Sequence, residues 1–69
     1  MIMYYRAIVE DNESSKVYFD SNMTSLKQKV YEEISKARDH FFSVVYEDVD
    51  GYFDHEDVYV DGDGNIEEC

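Results

Sequence analysis

Carboxylates make up most of the reactive and metal-ligating side chains in this sequence, and they are concentrated in its last third. Residues 47–69 contain ten acids and no Lys or Arg, whereas residues 1–46 contain seven acids and six bases. The formal net charge of the 69-residue chain is −11. Such a charge repels nucleic acid and anionic membranes and attracts basic protein surfaces. We therefore expect a basic protein partner; the alternative is that the acidity only keeps a small protein soluble.

Two Asp-Gly pairs at residues 61–64 raise the question of a calcium loop. An EF-hand loop needs oxygen ligands at positions 1, 3 and 5, glycine at position 6 and a bidentate Glu at position 12. The best register starts at Asp57, but it puts Tyr59 where the second oxygen ligand belongs, and the preceding residues have strand rather than helix character. A turn that follows a strand is therefore the favoured interpretation of DGDG. A weak calcium site made from clustered carboxylates is the alternative.

The two histidines and the single cysteine offer little for metal binding or catalysis. His55 lies among three carboxylates in the segment DHED, residues 54–57. Zinc sites usually gather several His or Cys ligands, so we expect an exposed, charge-paired histidine there. Cys69 has no second cysteine with which to form an internal disulfide, and an activated nucleophile with its base is not recognisable. We expect no enzymatic activity, no cofactor and no metal.

The hydrophobic pattern predicts one α+β domain that spans residues 1–69. Residues 2–9 and 16–20 have strand character and are separated by turn residues, and Val17 and Phe19 share one face. Two more extended segments follow a helix, with a possible short strand at NIEE, residues 65–68. The predicted order is β-β-α-β-β. One amphipathic helix then covers one face of an antiparallel sheet of about four strands.

The predicted helix follows the segment DSNMTS, which is rich in capping side chains. Asn22 or Thr24 is the expected N-cap, because a side-chain oxygen there can accept a free backbone N–H. Apolar residues at steps of three and four predict a helix of about 16 to 18 residues, with His40 near its C-terminal end. They are Met23, Leu26, Val30, Ile34, Ala37 and Phe41. The tyrosines expected on the opposite, open face of the sheet are Tyr4, Tyr18, Tyr46, Tyr52 and Tyr59.

The acids of the last third are spaced in a way that suits an extended strand. Alternate residues of a strand point to the same side about 6.6 Å apart, so a pair such as Asp54 and Glu56 forms part of a row of negative charge. Rows of like charge destabilise the free protein, and a basic partner would offset that repulsion. The residues that we predict to contact the partner are Glu47, Asp48, Asp50, Asp54, Glu56, Asp57, Asp61, Asp63, Tyr52 and Tyr59.

In size, acidity, layout and lack of a catalytic signature, the chain resembles the small phage-encoded DNA mimics of the anti-CRISPR and anti-restriction type. The resemblance extends over the whole chain but includes no shared motif, so it transfers no site residue. It implies a non-enzymatic inhibitor that occupies the basic nucleic-acid-binding surface of a target protein. Independently of the resemblance, the missing signal-peptide pattern and the single Cys69 lead us to expect a cytoplasmic location, in the host cytoplasm if a phage encodes the chain. The N-terminal MIMYYRAIVED has no signal-peptide pattern, and we expect no direct contact with nucleic acid or membrane.

A second function class fits the same sequence. Strand edges without proline can pair with other strands, which permits a small interaction module or regulatory subunit, and also a homodimer. Such a protein would bind through a sheet edge or through a tyrosine-bearing face. Salt distinguishes the two classes, because binding through charges weakens with ionic strength and binding through apolar contacts does not.

Overall fold

A computed structural model shows one helix packed on an open five-stranded antiparallel sheet. It describes residues 4–48 and 50–69, with the side chains of Tyr52 and Phe53 left out. The strand order across the sheet is β2-β1-β3-β4-β5. The elements are β1 (Tyr5–Glu10), β2 (Ser15–Asp20), α1 (Met23–Ile34), β3 (His40–Asp48), β4 (Gly51–Val60) and β5 (Ile66–Glu68). The predicted α+β class is confirmed, but the sheet has five strands instead of about four.

The fifth strand is the short one considered at NIEE, and it forms because a tight loop returns the chain to the edge of β4. Asp61 Oδ1 accepts the backbone N–H groups of Asp63 and Asn65, each at 2.9 Å. Gly64, with a φ of 86°, takes the left-handed conformation that the reversal requires. β5 then pairs with residues 58–60 of β4. The interpretation of DGDG as a turn is therefore confirmed.

Helix α1 has 12 residues and is shorter than the predicted 16 to 18. Asn22 is its N-cap, as expected, and its Oδ1 accepts the N–H of Ser25 at 3.1 Å. Two residues of the predicted apolar spacing lie beyond the helix, because Ala37 follows its end and Phe41 belongs to β3. Asp39, with a φ of 58°, helps to turn the chain between helix and strand. His40 therefore begins β3 and does not lie at the helix end.

The core lies between α1 and one face of the sheet. Because side chains alternate along a strand, every second residue of β1, β3 and β4 points towards the helix. Burying these residues supplies the apolar contribution to folding, at about 25 cal/mol per Å² of apolar surface removed from water. The buried residues are Ala7, Val9, Leu26, Val30, Ile34, Phe42, Val44, Tyr46, Val58 and Val60.

The other sheet face is open and carries apolar side chains. Val17 and Phe19 share this face, as predicted, and are 47% and 55% exposed. Phe41 is 65% exposed, and its ring centroid lies 4.6 Å from that of Tyr59 on the neighbouring strand. The exposed Phe41 and the partly buried Tyr59 are thus an aromatic pair on a face that nothing in the described chain covers.

Only part of the predicted tyrosine face is present. Tyr59 lies on the open face, whereas Tyr18 and Tyr46 are cross-strand partners of the buried Ala7 and point towards the helix. The placement of Tyr18 and Tyr46 on the open face was therefore wrong. Tyr4 is exposed just before β1, and the side chain of Tyr52 lies outside the described part of the structure.

Candidate functional site

Most acids of the last third lie along the side of the sheet that β4, β5 and their connecting loop form. The opposite side of the sheet ends in β2, whose charged residues are Lys16 and Asp20, one of each sign. The two sides of the sheet therefore differ strongly in charge. We call the first side the acidic edge, and its carboxylates are Asp54, Glu56, Asp57, Asp61, Asp63, Glu67 and Glu68.

A groove opens in the acidic edge where β5 ends. β5 pairs with β4 only over residues 58–60, so the preceding part of β4 has no strand on its outer side in the described chain. The groove has a volume of about 420 Å³ and contains one lysine among its carboxylates. Unpaired backbone groups of a strand and negative charges are therefore exposed side by side. The lining residues are Lys27, Asp54, His55, Glu56, Asp57, Glu68 and Cys69.

On the helix side of the groove, Glu56 is bound into the fold. The Tyr31 hydroxyl donates to Glu56 Oε2 at 2.5 Å, and Lys27 Nζ lies 3.7 Å from Glu56 Oε1. The Glu56 side chain is only 10% exposed. Asp54, two residues earlier on the same face, lies 3.8 Å from Lys27 Nζ but is 48% exposed. Of these two carboxylates, Asp54 is the one that a partner can reach.

A second tyrosine lies beneath this cluster. Tyr46 is fully buried and pairs with Asp54 across the strands, and Lys27 Nζ lies 5.1 Å from its ring centroid. Burial raises the pKa of Tyr46, and the nearby charge of Glu56 adds to the effect. Burial also raises the pKa of Tyr31, together with its hydrogen bond to Glu56. Both phenols are therefore held neutral beneath a negatively charged surface.

On the open face of the acidic edge, a histidine bridges two strands. His55 Nε2 lies 3.2 Å from Asp57 Oδ1 and 3.0 Å from Ser43 Oγ. Asp57 is 60% exposed, and its carboxylate is accessible to a partner. Within residues 4–48 and 50–69, no group of three or more His, Cys, Asp or Glu side chains is arranged to hold a metal ion.

The two loop acids have different roles. Hydrogen bonds from the backbone N–H groups of Asn65 and Asp63 lower the pKa of Asp61. The carboxylate of Asp61 therefore organises its own loop. Asp63 is exposed, and its backbone N–H is the donor in one of these bonds. Asp63 is thus the loop acid available for contact with another molecule.

The remaining predicted contact residues lie at the turn between β3 and β4 or on the open face. Glu47 accepts from Arg6 Nη2 at 2.7 Å and is 18% exposed. Asp48 Oδ1 accepts the backbone N–H of Asp50 at 2.8 Å. Tyr59 donates to Asp39 Oδ1 at 3.3 Å. The ten predicted residues therefore do not share one face, although many of them follow one side of the sheet.

Sequence reasoning did not identify Lys27 and Tyr31 as part of this region. They lie on the helix, and only the folded structure brings them to Glu56. Their spacing of four residues, which puts them on one helix face, was the available signal.

Comparison of this chain with protein-family models, curated proteins and solved structures finds no match. No helix in the described part of the chain has the length and apolar character needed to cross a membrane.

Proposed function

We propose that this chain is a non-enzymatic inhibitor that binds a basic nucleic-acid-binding surface of another protein through its acidic edge. The observation that supports this most directly is the exposure of Asp54, Asp57 and Asp63 on a well-formed strand and its adjoining loop. Charges that are already fixed in position lose little conformational entropy on binding, which favours tight association.

The geometry of a strand is compatible with imitation of a nucleic acid. A strand rises about 3.3 Å per residue, so carboxylates on one side recur about every 6.6 Å. Phosphates of one DNA strand advance about 3.4 Å along the helix axis per nucleotide, or about 6.8 Å for two. Asp54 and Glu56 lie on one side of β4, and of the two Asp54 is exposed enough to take the place of a phosphate. Lysine and arginine side chains are long enough to adapt to the remaining differences.

The balance of charge within the acidic edge also favours a basic partner. Lys27 is the one lysine or arginine within 4.0 Å of its carboxylates in the described chain, and it contacts Asp54 and Glu56. Asp63, Glu67 and Glu68 have no ion pair among the described residues. Mutual repulsion of these charges is present in the free protein, and a basic surface would relieve it.

Affinity capture tests this proposal. The chain is immobilised, exposed to a lysate of its native host, and eluted with a salt gradient in the presence or absence of duplex DNA. We expect a nucleic-acid-binding protein to be captured, with affinity at least about tenfold weaker at about 200 mM than at about 50 mM salt. DNA should compete for the captured protein. Capture that is indifferent to both salt and DNA would rule out mimicry.

A matched pair of charge reversals locates the contact. The triple variant D54K/D57K/D63K changes exposed carboxylates of the acidic edge and leaves Glu56 and Asp61 to stabilise the fold. The control E13K/E32K/E33K makes the same change in charge at exposed sites elsewhere. We expect the first variant to lose capture and the second to keep most of it. Equal losses would mean that only net charge matters, and unchanged capture by the first variant would exclude the acidic edge.

One observation favours the alternative function of a small interaction module. The open sheet face exposes Phe41, Phe19 and Val17 without a covering element in the described chain. Apolar patches of this kind are typical of protein interaction sites. A partner bound there would be released by Phe41→Ser and would be nearly insensitive to salt, so the same capture experiment distinguishes the two functions.

A further inference from the structure

The strand at the other side of the sheet is an unpaired edge with little net charge. β2 pairs with β1 on one side and has no strand on its outer side within the described residues. It lacks proline and exposes Val17 and Phe19. Lys16 is exposed and has neither an ion pair nor a hydrogen bond in the described structure. Natural proteins usually protect such edges, because they pair readily with other strands.

We propose that two copies of this chain associate through β2, antiparallel, to form one continuous sheet. Around a twofold axis perpendicular to the sheet, Tyr18 lies opposite Tyr18 of the second copy. Val17 then lies opposite Phe19 of the second copy, and Lys16 opposite its Asp20. The Val17–Phe19 and Lys16–Asp20 contacts each occur twice, as the symmetry of a dimer requires, and the Tyr18 contact lies on the axis. The interface thus contains two apolar pairs and two oppositely charged pairs.

The alternation of side chains selects this register. Lys16, Tyr18 and Asp20 point towards the helix side of the sheet, and Val17 and Phe19 point to the open face. Directly opposed residues of antiparallel strands project to the same side, so a shift of one residue would put apolar against polar side chains. A shift of two residues, with Val17 opposite Val17, would place Lys16 opposite Tyr18 and lose both charge pairs.

The distribution of charge favours β2 over the acidic edge for self-association. Pairing through β2 puts the two acidic edges at the far ends of the combined sheet, where their repulsion is weakest. Pairing through β5 would bring the carboxylates of two copies together. This inference is independent of the proposed inhibitor function, because it concerns the opposite side of the sheet.

One contact within the chain must be compatible with the dimer. Lys29 Nζ donates to the Phe19 carbonyl at 2.9 Å and lies 3.4 Å from Asp20 Oδ2. A carbonyl oxygen has two lone pairs and can accept a second hydrogen bond from the other copy. Asp20 can likewise accept from Lys16 of the second copy, because a carboxylate has about four acceptor positions.

Sedimentation equilibrium with charge-swap variants tests the contact. We expect the mass to rise with concentration from 8.2 kDa towards twice that value. Lys16→Glu should weaken the dimer at least about tenfold, because two favourable cross-strand pairs become unfavourable. In a Lys29→Gln background, in which no lysine faces residue 20 from the helix, K16D/D20K should restore it. A monomer at about 1 mM, or a dimer that Lys16→Glu does not weaken, would overturn the proposal; circular dichroism verifies that each variant is folded.

Disulfide trapping tests the register with cysteines at exposed positions that are not part of the buried core. In a Cys69→Ser background, V17C and F19C are made as separate proteins and mixed in a glutathione redox buffer. Directly opposed Cα atoms lie about 4.5 to 5.5 Å apart, within the range for a disulfide. We expect a disulfide between V17C and F19C and none when V17C is alone. Cross-linking of V17C to itself would contradict this register.

Discussion

Removal of one hydroxyl group from the core is expected to stabilise this protein. Among the described residues, Tyr46 is the largest fully buried side chain, and its Oη has no hydrogen-bond partner there. A buried polar group without a partner costs about 1 to 3 kcal/mol. Phenylalanine keeps the ring and its packing and removes only that hydroxyl. Tyr46→Phe should therefore raise the free energy of unfolding by about 1 kcal/mol, near the lower limit because a small void replaces the oxygen.

The corresponding shift in melting temperature is large enough to measure. Unfolding entropy near 60 °C is about 2.1 cal/mol/K per residue, or about 145 cal/mol/K for 69 residues. A gain of about 1 kcal/mol then raises Tm by about 7 °C. Thermal unfolding followed by circular dichroism at neutral pH measures the change. Urea unfolding provides a second value that does not depend on the entropy estimate.

Tyr31→Phe is the matched control, because it deletes the same group nearby with the opposite expected sign. The Tyr31 hydroxyl donates to Glu56 at 2.5 Å, and hydrogen bonds to charged groups contribute about 1.5 to 3 kcal/mol. Since Tyr31 is partly exposed, we expect a loss of about 1 to 2 kcal/mol. A fall in Tm for Tyr46→Phe would refute the reasoning, because it would mean that the buried hydroxyl has a stabilising partner.

Two further predictions concern alkaline stability and the loop before β5. The pKa values of Tyr31 and Tyr46 are raised in the folded state. Their contribution is therefore complete below the unfolded pKa of about 10 and is lost as pH rises towards their folded pKa values. Urea midpoints should fall steeply above about pH 10, and less so in Y31F/Y46F. Gly64→Ala should lower the free energy of unfolding by more than about 1 kcal/mol, because the φ of residue 64 is 86° and the new Cβ would lie 3.2 Å from the Ser35 carbonyl oxygen. Gly62→Ala, whose Cβ meets only ordinary contacts, should change thermal stability much less.

The class of the fold could be predicted from local patterns, but the ends of its elements could not. Asn22 was recognisable as a cap because its side chain acts on the adjacent backbone. The end of α1 depends on tertiary structure, since Ala37 packs against the core from outside the helix. β5 has three residues, too few for alternation to be distinctive. It pairs with β4 because the loop at Asp61 returns the chain to the outer edge of that strand.

The faces of the sheet were harder to predict than its strands. The segment FFSVVY of β3 has apolar residues at both odd and even positions, so its alternation does not show which set is buried. The structure buries Phe42, Val44 and Tyr46 and exposes Phe41. In addition, the pairing of β3 with β4 shifts between Tyr46 and Glu47. A register that changes within a strand cannot be obtained from a count of alternate residues.

The two proposed surfaces can be occupied together, and their combination leads to a distinct expectation. A dimer through β2 would present two acidic edges that face away from each other, so a target with two basic sites could bind both. Lys16→Glu would then weaken binding to a bivalent target, although Lys16 lies outside the acidic edge. Binding to a target with one basic site would be unaffected by Lys16→Glu and lost in D54K/D57K/D63K. Comparison of the two variants on one captured target therefore separates the effect of avidity from that of the contact itself.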